Sequence, residues 1–172
     1  ATTLYSTIDA TTGEETFPIE VPAATRRTIA LSMSAAWGVL HPRPFQIFAV
    51  FVMVFLQHQF FYLIRKTGEG KSLVILTTAA LRRGVTLVMV PLIGLGSDQV
   101  NKSTNLPHRV ESYHVDENKG DDFKKLTTRL LALKAKANGR ATRSIVLYFS
   151  PQSLQPDSAL YVVLNNLAKR GP

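Results

Sequence analysis

At 172 residues the chain is long enough for one domain with a real core, or for a domain plus an extended arm, and its length argues against two full domains. Hydrophobic residues at 45% exclude general disorder, and a formal charge of +8 with a pI near 10.0 points to a polyanionic partner such as nucleic acid or an anionic surface. Cysteine is absent, which excludes a disulfide framework, a thiol nucleophile and cysteine-ligated zinc or iron–sulfur sites; the four histidines lack the spacing that would set two imidazoles on one helix face.

The stretch 1–24 is rich in Thr, Glu and Pro and lacks an apolar signal core, so it reads as an arm or linker. A start at Ala1 and a finish at Arg170-Gly171-Pro172 suggest a fragment or a processed product. Apolar spacing allows a short helix over Thr28 to Leu40, broken by His41-Pro42-Arg43-Pro44. From Pro44 through Ile64 there is no Asp, Glu, Lys or Arg. A run of that length can span a bilayer, but Gln57-His58-Gln59 would be expensive in lipid. Splitting the run there predicts a buried helix over Phe45 to Leu56 and a buried strand over Phe60 to Ile64, and this division is preferred.

Next comes Thr67-Gly68-Glu69-Gly70-Lys71-Ser72, a phosphate-binding loop set between that apolar run and a helix-compatible stretch. Glycines let backbone N–H groups close around a phosphate, and the following helix adds its positive N-terminal end. Lys71 would reach the terminal phosphates and Ser72 would hold magnesium. Arg65 stands where the common motif has its first glycine, so the match is partial. The competing reading is a glycine-rich turn that happens to end in Lys-Ser.

Downstream, Leu73 to Arg83 reads as a helix ended by Gly84, and Val85 to Val90 as a strand closed by Pro91. A helix opens over Gly96 to Lys102, a strand over Arg109 to Val115, a helix over Asp121 to Ala137, a buried strand over Ser144 to Phe149, and a last helix over Ser158 to Arg170. Strand and helix in alternation predict an α/β fold with a parallel sheet and helices on both faces.

Four blocks resemble a known family. Arg43-Pro44-Phe45-Gln46, the 65–72 loop in its helicase form x-x-T-G-x-G-K-S, Val90-Pro91-Leu92-Ile93-Gly94-Leu95-Gly96-Ser97-Asp98-Gln99-Val100, and Tyr148-Phe149-Ser150-Pro151-Gln152-Ser153-Leu154 are similar, in family order, to the first RecA-like domain of RecQ-type superfamily 2 DNA helicases. After the arm and short helix, together 1–40, the resemblance implies a partial RecA-like, P-loop domain over 41–172. It implies ATP and Mg2+ as cofactors and DNA as a partner, with a second RecA-like domain outside this chain. By the same resemblance Gln46 recognises the adenine edge, and Thr67, Gly68, Glu69, Gly70 and Lys71 cradle the phosphates. Lys71 neutralises the terminal ones, Ser72 ligates magnesium, and Pro91, Gly94, Gly96, Ser97, Gln99 and Ser150 meet a DNA strand, with Gln152 adding a polar contact.

Plainer roles stand beside these. Gln46 can cap or solvate a helix start, Gly94 and Gly96 can shape a turn, and Asp98 can cap a helix. The basic residues between Lys124 and Arg143 read as a solvated face. The family also needs an Asp-Glu pair at the end of a further apolar strand; Asp116-Glu117 follows a polar strand and precedes the Tyr148 block, so hydrolysis by this chain alone is not expected. Two alternatives remain: a non-catalytic subunit of a larger assembly, membrane-associated through 45–64, and a simple basic nucleic-acid binder. The helicase reading carries a nuclear or cytoplasmic compartment, the membrane reading a membrane-associated one.

Overall fold

A computed structural model describes residues 6–56, 61–91, 93–104, 110–115, 120–135 and 144–169; of these, the side chains of 93–95, 102, 104, 120–122, 131–135, 167 and 168 fall outside the description. It divides into two compact units, Ala1–Leu81 and Arg82–Pro172.

The first unit is built on three helices and a hairpin. The segment read as an arm carries two short antiparallel strands, β1 (Thr7–Ile8) and β2 (Glu15–Thr16), with Thr7 opposite Thr16 and Ile8 opposite Glu15. Its turn is tied by the Asp9 carboxylate, which accepts the N–H groups of Thr11 at 2.8 Å and Thr12 at 2.7 Å. Those bonds to the ionised form lower the Asp9 pKa. Helix α1 (Ala23–Trp37) starts earlier than its apolar spacing predicts and ends at Gly38, whose φ of 66° is the left-handed stop that glycine supplies.

Helix α2 (Pro44–Val54) takes Pro44 at its first turn, where a missing N–H costs nothing. It is apolar on every side because it is buried on most of them: Phe48, Ala49, Val50, Phe51 and Val52 form a core with Ile29 and Met33 of α1 and Val74 of α3 (Lys71–Arg82). Each such large side chain contributes roughly 1.5–3 kcal/mol through removal from water. Phe17, just past the hairpin, stacks on Phe48 with centroids 4.5 Å apart. The indole N–H of Trp37 donates to Thr77 Oγ1 at 3.1 Å and so ties α1 to α3. Among the described residues no helix is long and apolar enough to cross a membrane.

The strand expected over Phe60 to Ile64 is corrected by the structure. Residues 61–66 have no regular structure; Phe61 and Leu63 pack on the core while Tyr62 and Ile64 are 86% and 90% exposed. The alternation of a strand is present, but a strand is completed by a ladder partner, and none borders this segment among the described residues. Gln57-His58-Gln59 and Phe60 lie outside the described residues.

The second unit is the α/β layer. Its sheet is parallel, with β3 (Gly84–Met89) and β4 (Val110–Val115) on either side of β5 (Ser144–Phe149). β5 is buried along its whole length, as the centre of a parallel sheet must be. Alternation assigns the faces. Ile145, Leu147 and Phe149 share one face with Val115 and pack with Leu126 and Leu130 of α5 (Gly120–Ala135) and Leu160 of α6 (Ala159–Lys169). His114 belongs to the opposite face, where α4 (Ile93–Thr104) lies against it through Gly96. A mixed α/β unit with helices on both faces of a parallel sheet is therefore present, compatible with a Rossmann-like or P-loop-like fold.

Candidate functional site: a glycine-rich loop and a strand-end crevice

In the first unit, residues 65–70 form a closed loop that runs into α3 at Lys71. Gly68 and Gly70 both hold φ at 85°, a backbone state that glycine adopts without strain. The loop is closed from within: Lys71 Nζ donates to the carbonyl oxygens of Arg65 and Lys66, each at 2.8 Å, and the Glu69 carboxylate accepts the Lys66 N–H at 3.0 Å. An ammonium group, the start of a twelve-residue helix and the exposed residues Lys66, Thr67 and Gly68 thus lie within one short stretch. This donor set suits a phosphate chain. Ser72 is the second residue of α3 and half-buried, placing a hydroxyl in the same first turn.

Gln46 belongs to this loop although it is more than twenty residues away in sequence. Its Oε1 accepts the Arg43 N–H at 2.9 Å, which satisfies an open donor at the start of α2, and its Nε2 donates to the carbonyls of Glu69 at 3.4 Å and Gly70 at 3.3 Å. Only 5% of Gln46 is exposed. The helix-capping role and the role beside the loop are performed by the same amide. A β-carbon on Gly70 would lie 2.5 Å from Nε2, so the close approach of Gln46 requires glycine there.

The second unit brings together another part of the expected site. Met89 pairs with Phe149, and the Val90 N–H donates to the Phe149 carbonyl at 2.9 Å, so Pro91 and Ser150 leave the carboxyl ends of neighbouring strands. From β3 the chain passes to α4 on one face; from β5 it passes through a 3-10 turn (Pro151–Leu154) to α6 on the other. Neighbouring strands whose continuations part to opposite faces open a crevice at their carboxyl ends, the usual ligand position of open α/β sheets. Pro91 and Gln152 are exposed there, while Ser150 and Ser153 are buried with their hydroxyl oxygens 3.2 Å apart.

Other residues of the 90–100 block point elsewhere. Gly96 is buried against the His114 ring, which a β-carbon would overlap, and Ser97 Oγ lies 3.1 Å from His114 Nδ1. Both anchor α4 to β4. Gly94 lies in the first turn of α4, and Gln99 is half-buried further along it.

Sequence reasoning missed two partners of these sites. Arg65 is held by Glu15 of the hairpin in an ion pair and lies over the Phe45 ring at 4.3 Å from its centroid. Glu15 and Arg65 are fifty residues apart, and no local pattern joins them. His114 under Gly96 carried only the period of a strand. No family model and no curated protein matches the chain.

Proposed function

We propose that this chain binds a magnesium–nucleoside triphosphate, ATP, at the 65–72 loop and a DNA strand at the β3–β5 crevice, as the ATP-binding portion of a RecQ-like DNA helicase. The observation that carries the reading is the loop itself. Two left-handed glycines and a lysine folded over the loop carbonyls stand at the start of a helix, with Gln46 fastened to the same turn. Lys71 would exchange its two carbonyl partners for phosphate oxygens, a charge-assisted bond that is stronger than the neutral ones it replaces. Ser72 would hold Mg2+, which bridges phosphates and offsets their charge. Gln46 would take the adenine amine: a carbonyl oxygen has two lone pairs, and the Arg43 N–H uses one at Oε1.

Around Pro91, Gly94 and Ser150 the second unit would meet phosphates of a strand through backbone and hydroxyl groups, contacts that position without reading sequence. Gly96, Ser97 and Gln99 would support that surface by fixing α4. The second RecA-like domain would come from outside this chain, as would an Asp-Glu pair for hydrolysis, so ATP binding is the activity this proposal assigns to the chain. As the alternative reading, a non-catalytic subunit of a larger assembly draws on exposed Tyr62 and Ile64, and would show no response to ATP.

Thermal unfolding with and without ATP-Mg decides between them. Ligand at about a hundredfold excess over Kd stabilises by about 2.7 kcal/mol, which corresponds to a rise in Tm of about 5 °C or more. The rise is expected in the parent chain and absent in Lys71→Ala. An unchanged Tm, or the same rise in both proteins, overturns the reading.

A further inference from the structure

Arg65 begins the phosphate loop and is its only residue gripped by a side chain from the N-terminal hairpin among the described contacts. Its guanidinium is paired with the Glu15 carboxylate, and its Cζ lies over the Phe45 ring at 4.3 Å from the centroid, on the first turn of the helix that carries Gln46. Side-chain exposures of 17% and 14% leave the pair poorly screened by solvent. Its backbone carbonyl is one of the two that hold Lys71 Nζ.

We infer that the hairpin is part of the nucleotide site, with Glu15 as a positioning residue that acts on the loop through Arg65. This rests on the nucleotide reading proposed above and names a device within it. The loop has two ends. Gln46 fixes the far end at Glu69 and Gly70, while Glu15 and Phe45 fix the near end at Arg65. When Lys71 leaves the carbonyls of Arg65 and Lys66 to meet phosphate, the loop loses two of the bonds that close it. The grip on Arg65 then keeps the near end in place, so the amides stay aimed and little ordering remains to be done on binding. Without it the near end is free to move and the gain from phosphate contact is partly spent on ordering the loop. The arginine at the position where glycine is usual is thus a handle, and the hairpin is the part that holds it. A lysine would not substitute, because the flat guanidinium serves the carboxylate and the aromatic face at once.

Binding of ATP-Mg to the full chain, measured by calorimetry beside the Tm of the nucleotide-free proteins, tests this. Glu15→Gln is expected to bind about tenfold more weakly than the parent, the loss typical of a weakened charge-assisted contact. Glu15→Asp, which keeps the carboxylate, is expected to stay within about threefold of the parent, and both variants to melt near the parent temperature without nucleotide. Parent-like binding by Glu15→Gln overturns the inference, as does equal impairment of the Asp and Gln variants, which would mark a role in packing alone. A parent chain that fails to bind ATP-Mg overturns the nucleotide reading itself, and the two failures are told apart by that measurement.

Discussion

At the scale of single residues, two glycines in one loop carry different burdens. Gly68 and Gly70 share the same left-handed φ, yet a β-carbon at 68 would meet nothing within 4 Å, whereas at 70 it would press on Gln46 Nε2. Gly68→Ala therefore costs only backbone strain, about 1 kcal/mol, while Gly70→Ala adds displacement of a buried amide and costs roughly 2–4 kcal/mol. Urea unfolding of the two variants should show that order, and ATP-Mg binding should suffer more in Gly70→Ala because Gln46 is dislodged from the loop. Equal losses in the two variants would mean that Gln46 does not lean on this turn. The glycine-lysine pattern was legible in the sequence because it is local; the amide that locks it was not, since hydrogen bonds across twenty residues leave no period to read.

Among elements, β5 shows how burial sets a titration. Tyr148 is 2% exposed on the central strand, and burial alone pushes its phenol up to about 12. A raised folded pKa means that the native state keeps its proton where the unfolded chain has lost it. The resulting stability is present in full below pH 10 and declines as the pH rises from 10 to about 12. The loss amounts to about 2 kcal/mol. Tyr148→Phe should flatten that alkaline decline in a chemical-denaturation series from pH 8 to 12; an unchanged decline would assign it to other groups, Tyr113 first, whose pKa is raised by burial and by its bond to Glu111. The strand itself was legible to the residue, because six consecutive buried positions flanked by polar ones have few other fates. The helices after α1 were legible within a few residues at each end, from apolar periodicity and the glycine and proline stops, whereas α1 begins at Ala23, ahead of the expected Thr28. The segment before the loop was not: Phe61 to Ile64 alternates as a strand does, and whether it joins a ladder depends on a partner that its own residues do not specify.

Over the whole molecule, an excess of eight positive charges sets how any nucleic acid is met. A strand held mainly through phosphates at the β3–β5 crevice should bind with a strong salt dependence: three or four neutralised phosphates give a slope of log K against log salt of roughly −2 to −3. Fluorescence-anisotropy titration of a single-stranded oligonucleotide between low and physiological salt measures it, and a flat response would remove phosphate contact as the binding mode. By themselves, the residues determined most of the helices, the strands of the parallel sheet, the α/β character, and the glycine-rich turn ending in lysine, because periodicity, burial preference and turn chemistry act over a few neighbouring residues. Only the tertiary structure decided that the supposed arm is a hairpin gripping Arg65, that Gln46 is spent on the loop, that Gly96 and Ser97 serve His114, and that Pro91 and Ser150 emerge side by side. Each of those pairings spans a long stretch of chain, and what selects it is the free energy of the packed whole, which no short window of sequence contains.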